Sequence, residues 1–229
     1  LHSFAAALPA GLCLSESEAI LPVVPMFHVN AWGLPYMAPL AGASLIMPGP
    51  ALGGDSLFRL MDEESVDSAW GVPTVWLAHF QYCDANNLEL PKLRAATIGG
   101  SAAPRFMIER LMKNGPRVQH AWGMTETSPI GTVGGPTGDW EQLTFDQKVE
   151  KTMKQGRPIF GVELRTVDLD DPSKVLPRDG ESSGALHIRG PWVVKRYFKA
   201  EEDAIDADGW FNTGDVAILH PDGTMQITD

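Results

Sequence analysis

LRAATIGGSAAPRFMIERLMKNGPRVQHAWGMTE, residues 93–126, reads as strand, glycine turn, helix, strand, glycine turn. "LRAATIGG" is a short apolar run ended by two glycines, Pro104 stands at a helix start, 104–113 has helical character, and "RVQHAWG" is a second apolar run. A strand, a helix and a strand joined this tightly make a βαβ unit, whose strands run parallel.

The alternation extends upstream. "ILPVVP" (20–25), "ASLIMP" (43–48) and "SAWGV" (68–72) read as strands, while 31–40, 55–64 and 73–85 read as helices. The opening "LHSFAAALPAGLCL" resembles a signal core. It lacks an initiating Met and a basic start, and Glu16 and Glu18 follow closely, so it reads as an interior helix of a chain that begins in mid-protein. "DWEQLTFDQKVEKTMKQG" (139–156) mixes charge signs at helical spacing, as a solvated surface helix does. From Gly156 the texture turns to β: "IFGVELRTVD", "GALHIRG" and "VAILHPDGTMQITD" alternate or run apolar between turn residues, with "PDG" as a hairpin signal. The fold class is therefore α/β, a parallel-sheet layer with flanking helices followed by a small β-rich subdomain built as a distorted barrel. The division falls at 1–155 and 156–229.

Composition narrows the function. The 229 residues are 44% hydrophobic and can bury a core, and the formal net charge of -11 argues against a nucleic-acid backbone or an anionic membrane as the main partner. No run approaches the length of a membrane-spanning helix. Cys13 and Cys83 lie far apart with no CxxC, which suggests neither a disulfide framework nor a zinc knuckle and fits a reducing cytoplasm. His2, His79, His120, His187 and His220 show no metal-ligand spacing, and no metal cage is expected.

Open parallel sheets bind ligands beyond the carboxyl ends of their strands. Three such ends are polar: Pro25–His28, Gly99–Ser101 and Gly123–Glu126. Glu126 follows a glycine, where backbone approaches a ligand closely and a carboxylate can reach a hard cation; Thr125 offers a hydroxyl and an amide to phosphate. The same residues also suit a turn with a helix cap. "TIGGSAAP" (97–104) suits either a ligand-facing turn or a plain βα turn, and nearly matches the serine-hydrolase elbow, with Ala103 where the last glycine should stand. Asp215 in "DGWFNTGDVAIL" (208–219) could accept hydrogen bonds from a sugar diol or be an ordinary turn residue. His28 and Trp32 are either core or site residues.

In this order, the stretches resemble the AMP-forming adenylate superfamily of acyl-CoA synthetases, luciferases and peptide-synthetase adenylation domains. "HAWGMTET" resembles its aromatic-G-x-T-E motif, "GALHIRGPWVVKRYF" its G-E-L-x-I-x-G…G-Y motif, and "DGWFNTGDVAILHPDG" its W-x-x-T-G-D motif followed by a D-G hairpin. "VVPMFHVNAWG" and "GVPTVW" are most similar to fatty-acid and short- to medium-chain acid–CoA ligases, including those acting on 3-methylthiopropionate. Ala185 stands at the usual Glu position and Trp122 where many relatives have Tyr.

The resemblance implies ATP, Mg²⁺ and coenzyme A as cofactors and a small carboxylic acid as substrate, and it is compatible with a homodimer. It assigns Thr125 to the α-phosphate and Glu126 to Mg²⁺, as the catalytic pair. Gly100, Ser101, Ala102, Trp122, Gly123, Met124, Thr125, Asp215 and Ile227 form the nucleotide set, with Trp122 against adenine and Asp215 on the ribose hydroxyls. His28, Trp32, Gly33 and Gly100 border the acid. The superfamily's phosphate loop and its lysine-bearing C-terminal domain match no part of the chain, which therefore reads as an internal piece. A hydrolase using Ser101 and a non-catalytic nucleotide- or acyl-binding module are the alternatives.

Overall fold

In the computed structural model, which describes residues 1–229, the βαβ alternation becomes a seven-stranded sheet. Its elements are α1 (His2–Ala7), β1 (Ala19–Val23), α2 (Val29–Trp32), α3 (Leu34–Ala41), β2 (Ser44–Leu45), α4 (Gly54–Glu63), β3 (Ser68–Gly71), α5 (Pro73–Ala85), β4 (Ala95–Ile98), α6 (Arg105–Lys113), β5 (Arg117–Gly123), β6 (Ile130–Val133), α7 (Phe145–Met153) and β7 (Arg157–Pro158). The order is β2-β1-β3-β4-β5-β6-β7. Strands β2 to β5 pair in parallel, whereas β6 and β7 run antiparallel to their neighbours. A second, antiparallel sheet holds β8 (Glu163–Val167), β9 (Ser183–Arg189), β10 (Phe211–Leu219) and β11 (Met225–Ile227), in the order β11-β10-β9-β8.

Successive strand residues point to opposite faces, and the two faces of the first sheet carry separate cores. Leu21, Ala69, Ala96 and Val118 pack with Leu57, Trp76, Phe80, Ile108 and Val149 of α4 to α7. Ile20, Trp70 and Ala121 face the other way, onto Ala5 and Ala6 of α1, Leu34 and Met37 of α3, and Leu164, Ile188 and Leu219 of the second sheet. One apolar cluster therefore joins the two sheets, and β7 carries the first sheet to Pro158.

Several expectations are redrawn. The strand read over 43–48 contracts to Ser44–Leu45. The helix read over 31–40 starts at Leu34, because Val29, Asn30, Ala31 and Trp32 turn left-handed with φ of 46–56°, ending at Gly33 with φ 82°. The surface helix read over 139–156 spans Phe145–Met153, where Thr144 and Gln147 cap each other reciprocally at 3.3 and 2.9 Å. Strands β6 and β7 had no reading of their own. No helix is long and apolar enough to cross a membrane.

Buried histidines should make the fold sensitive to acid. His79, 2% exposed between α4 and α5, and the largely buried His2 of α1 each have a pKa held down to about 4, chiefly by burial. The folded value lies below the ordinary 6.5, so the unfolded chain binds more protons in this window. Stability that is complete above pH 6.5 is lost as the pH falls toward 4. Urea midpoints measured from pH 7 to 4 should drop, and His79→Leu should drop less steeply than the parent. An identical slope would remove His79 from the acid response.

Candidate active site

The three polar strand ends meet. Beyond the carboxyl ends of β1, β4 and β5 lies a cavity of about 270 Å³ bordered by His28, Trp32, Gly99, Gly100, Trp122 and Glu126. Beside it a second cavity, of about 280 Å³, is bordered by Ser101, Ala102, Trp122, Thr213, Asp215 and Ile227. Gly100 and residues 121–124 border both, so the two spaces share part of their lining. Gly100 has φ +79°, which L residues rarely adopt, and a β carbon there would stand 3.1 Å from Val72.

The turn after β5 follows from local chemistry. The register of β5 on β6 slips between Trp122 and Gly123, and a β carbon on Gly123 would collide with the Pro129 carbonyl. Only glycine lets the chain fold back this tightly. The Thr127 hydroxyl, fully buried, accepts from the Met124 amide at 3.0 Å and lies within hydrogen-bond reach of the Met124 and Pro129 carbonyls. It pins the one-turn 3-10 helix Thr125–Thr127, and Thr125 stays exposed at the cavity rim. The Glu126 carboxylate accepts from the Tyr197 hydroxyl at 2.9 Å through Oε1, and that bond is the main reason the Tyr197 pKa is raised above 10. Oε2 accepts no hydrogen bond from the chain.

Asp215 sits where β10 bulges against β9, just after Gly214 with φ 84°. Its amide donates to the Thr213 hydroxyl at 3.1 Å, and that hydroxyl donates to the Leu186 carbonyl at 3.0 Å. Its Oδ2 accepts from the Trp122 indole N–H at 3.1 Å, while Oδ1 has no partner in the chain. One bond thus fixes both the ring and the carboxylate that border the second cavity.

Of the residues read from sequence, His28, Trp32 and Gly100 border the first cavity and Gly100, Ser101, Ala102, Trp122, Asp215 and Ile227 the second, while Gly123, Met124, Thr125 and Glu126 lie on the turn between. Gly33 is the exception. It caps α3 beside Met37 and Pro129 and faces an adjoining open recess that shares Val29, Thr125 and Pro129 with the first cavity. Ser101 has no base: no imidazole or carboxylate hydrogen-bonds its hydroxyl, and His120 reaches only its carbonyl, at 3.5 Å. His120 is 1% exposed, lies 3.0 Å from the Met153 carbonyl, and has its pKa lowered by burial. No three His, Cys, Asp or Glu side chains converge as a metal cage. Nothing in the sequence singles out Tyr197, although "GALHIRGPWVVKRYF" contains it, nor His120 or Gln155, whose side chain accepts from the Ile227 amide at 2.7 Å.

The chain is 47% identical over its whole length to a medium-chain-fatty-acid–CoA ligase of Ectopseudomonas oleovorans and 45% identical to a 3-methylmercaptopropionyl-CoA ligase of Ruegeria lacuscaerulensis. It spans 42% of the length of each. The crystal structure of a long-chain-fatty-acid-CoA ligase from Archaeoglobus fulgidus superposes on 99% of the chain with a TM-score of 0.83 at 24% identity, covering 46% of that protein and matching it in fold. Residues 1–198 match the AMP-binding enzyme family, and with relatives this similar along its whole length the chain belongs to that family.

Proposed function

We propose that the whole protein is an AMP-forming acid–CoA ligase, which joins a short- to medium-chain carboxylic acid to AMP and then passes the acyl group to coenzyme A. The observation that carries this reading is the pair of cavities on either side of Gly100 and residues 121–124. One is walled by Trp32 and suits an acyl chain; the other has an indole and a carboxylate locked together and suits an adenosine. The names of the 47% and 45% identical relatives support an acid of that size. Residues 1–155 would form the adenylate- and acyl-binding unit, and 156–229 the unit that brings Asp215 to the ribose. A cytoplasmic location fits the same reading.

The residues present fit the ligands. Asp215 keeps one oxygen free for a sugar hydroxyl, and Trp122 offers an aromatic face to the base. Glu126 keeps one oxygen free for a cation, and a lone carboxylate suits Mg²⁺, which is commonly held by one or two carboxylates together with substrate phosphates. When bound, the cation would neutralise charge on the phosphates. A carboxylic acid resists attack because its oxygen leaves poorly, and transfer to AMP turns that oxygen into a good leaving group. The acid's oxygen attacks the α-phosphorus, pyrophosphate departs, and the thiol of coenzyme A then displaces AMP. The chain's part is to orient: Asp215 and Trp122 fix the nucleoside, Thr125 holds the α-phosphate, and Trp32 and His28 aim the acid in line.

ATP–pyrophosphate exchange by the whole protein across a panel of carboxylic acids tests the proposal. Exchange dependent on an aliphatic acid supports it; nucleotide binding without exchange would favour a non-catalytic module. Asp215→Ala removes a charged acceptor worth about 1.5–3 kcal/mol and should raise the apparent constant for ATP at least about tenfold. If parent and variant discriminated ATP from 2′-deoxy-ATP equally, Asp215 would not be the ribose ligand.

A further inference from the structure

The Glu126 carboxylate is held from outside its own turn. Residues 190–204, between β9 and β10, lie across the 124–129 turn and touch it at three points. The Val194 amide donates to the Glu126 carbonyl at 2.8 Å, the Ser128 hydroxyl donates to the Trp192 carbonyl at 2.9 Å, and the Tyr197 hydroxyl donates to Glu126 Oε1 at 2.9 Å. The segment is braced on itself, with the Ala204 amide on the Lys195 carbonyl at 2.8 Å and Arg196 on Asp203 at 2.7 Å. Two of the three contacts fix backbone or a neighbouring side chain; only Tyr197 fixes the carboxylate itself.

A glutamate at a cavity rim has several rotamers, and ordering a long side chain costs free energy at the moment of binding. A phenol donating to one carboxylate oxygen settles the rotamer beforehand and leaves the other oxygen to the ligand. Tyr197 is itself 49% exposed, so it can reach the rim without closing it. We infer that Tyr197 is a positioning residue, which presents Glu126 Oε2 to the divalent cation that arrives with the nucleotide. This rests on the proposed metal role of Glu126.

The test is metal binding, read separately from turnover. Mn²⁺ is titrated into the whole protein, with a non-hydrolysable ATP analogue present, and followed by electron paramagnetic resonance for the parent, Tyr197→Phe, Ser128→Ala and Glu126→Gln. Tyr197→Phe removes one charge-assisted hydrogen bond and should weaken Mn²⁺ about tenfold, with the melting temperature and the KM for the acid unchanged. Ser128→Ala cuts another tie of the same segment and should leave Mn²⁺ affinity as in the parent. In the Glu126→Gln background, Tyr197→Phe should have no further effect on Mn²⁺. Unchanged affinity in Tyr197→Phe, or an equal loss in Ser128→Ala, overturns the inference while leaving Glu126 in place. Unchanged affinity in Glu126→Gln overturns the metal reading on which it stands.

Discussion

Glu126→Gln should lower acyl-adenylate formation by roughly two orders of magnitude or more, the scale of losing one preorganised electrostatic group. The amide keeps the side chain's shape and can still accept from Tyr197, so the turn pinned by Thr127 should survive. What disappears is the negative charge that, in the proposed role, faces the cation. Single-turnover formation of the adenylate by the whole protein at limiting Mg²⁺ measures the loss, and raising Mg²⁺ should recover part of it. An unchanged rate at limiting Mg²⁺ would remove Glu126 from the metal site.

Trp32→Ala should change two measurements at once. The indole is 6% exposed, lies 6.4 Å from the Trp70 ring and belongs to the cluster that joins the two sheets, yet it also borders the 270 Å³ cavity. Truncating so large a buried ring costs about 3–5 kcal/mol, read as a fall in unfolding free energy. The vacated volume opens toward this cavity, the proposed acyl space, where each additional buried CH₂ contributes at most about 0.8 kcal/mol, so preference should move to longer acids. Trp32→Phe, milder in both respects, keeps the comparison possible if the alanine variant does not fold. A chain-length profile identical to the parent's in both variants would leave Trp32 a core residue only.

The parts legible in the sequence are those set by local rules. The βαβ unit over 93–126 appears with β4, α6 and β5 within two residues of their reading, because short apolar runs, Pro104 and the paired glycines mark the ends. Convergence of the three strand ends follows from topology, since parallel neighbours finish on the same edge. Where the reading stopped, the cause is tertiary. Nothing in Val29-Asn30-Ala31-Trp32 announces four consecutive residues of positive φ; only Asn among them favours that region, and the left-handed turn moves the start of α3 and turns Gly33 toward the adjoining recess. β6 and β7 are too short for periodicity to register, and they owe their pairing to β5. Tyr197 meets Glu126 across 71 positions, and Trp122 meets Asp215 across 93. A single sequence holds no distance between such residues.

Gly100 and residues 121–124, which line both cavities, give the two spaces a common element through which their occupants can be coupled. Where the same residues touch both occupants, a shift imposed from one side is felt on the other. Linkage then requires that the factor by which nucleotide tightens the acid equal the factor by which the acid tightens nucleotide, whichever arrives first. If the proposed acid and nucleotide fill these spaces, an acid that displaces the shared residues would therefore register twice, by one and the same factor: in its own affinity once nucleotide is bound, and in the affinity for nucleotide once the acid is bound.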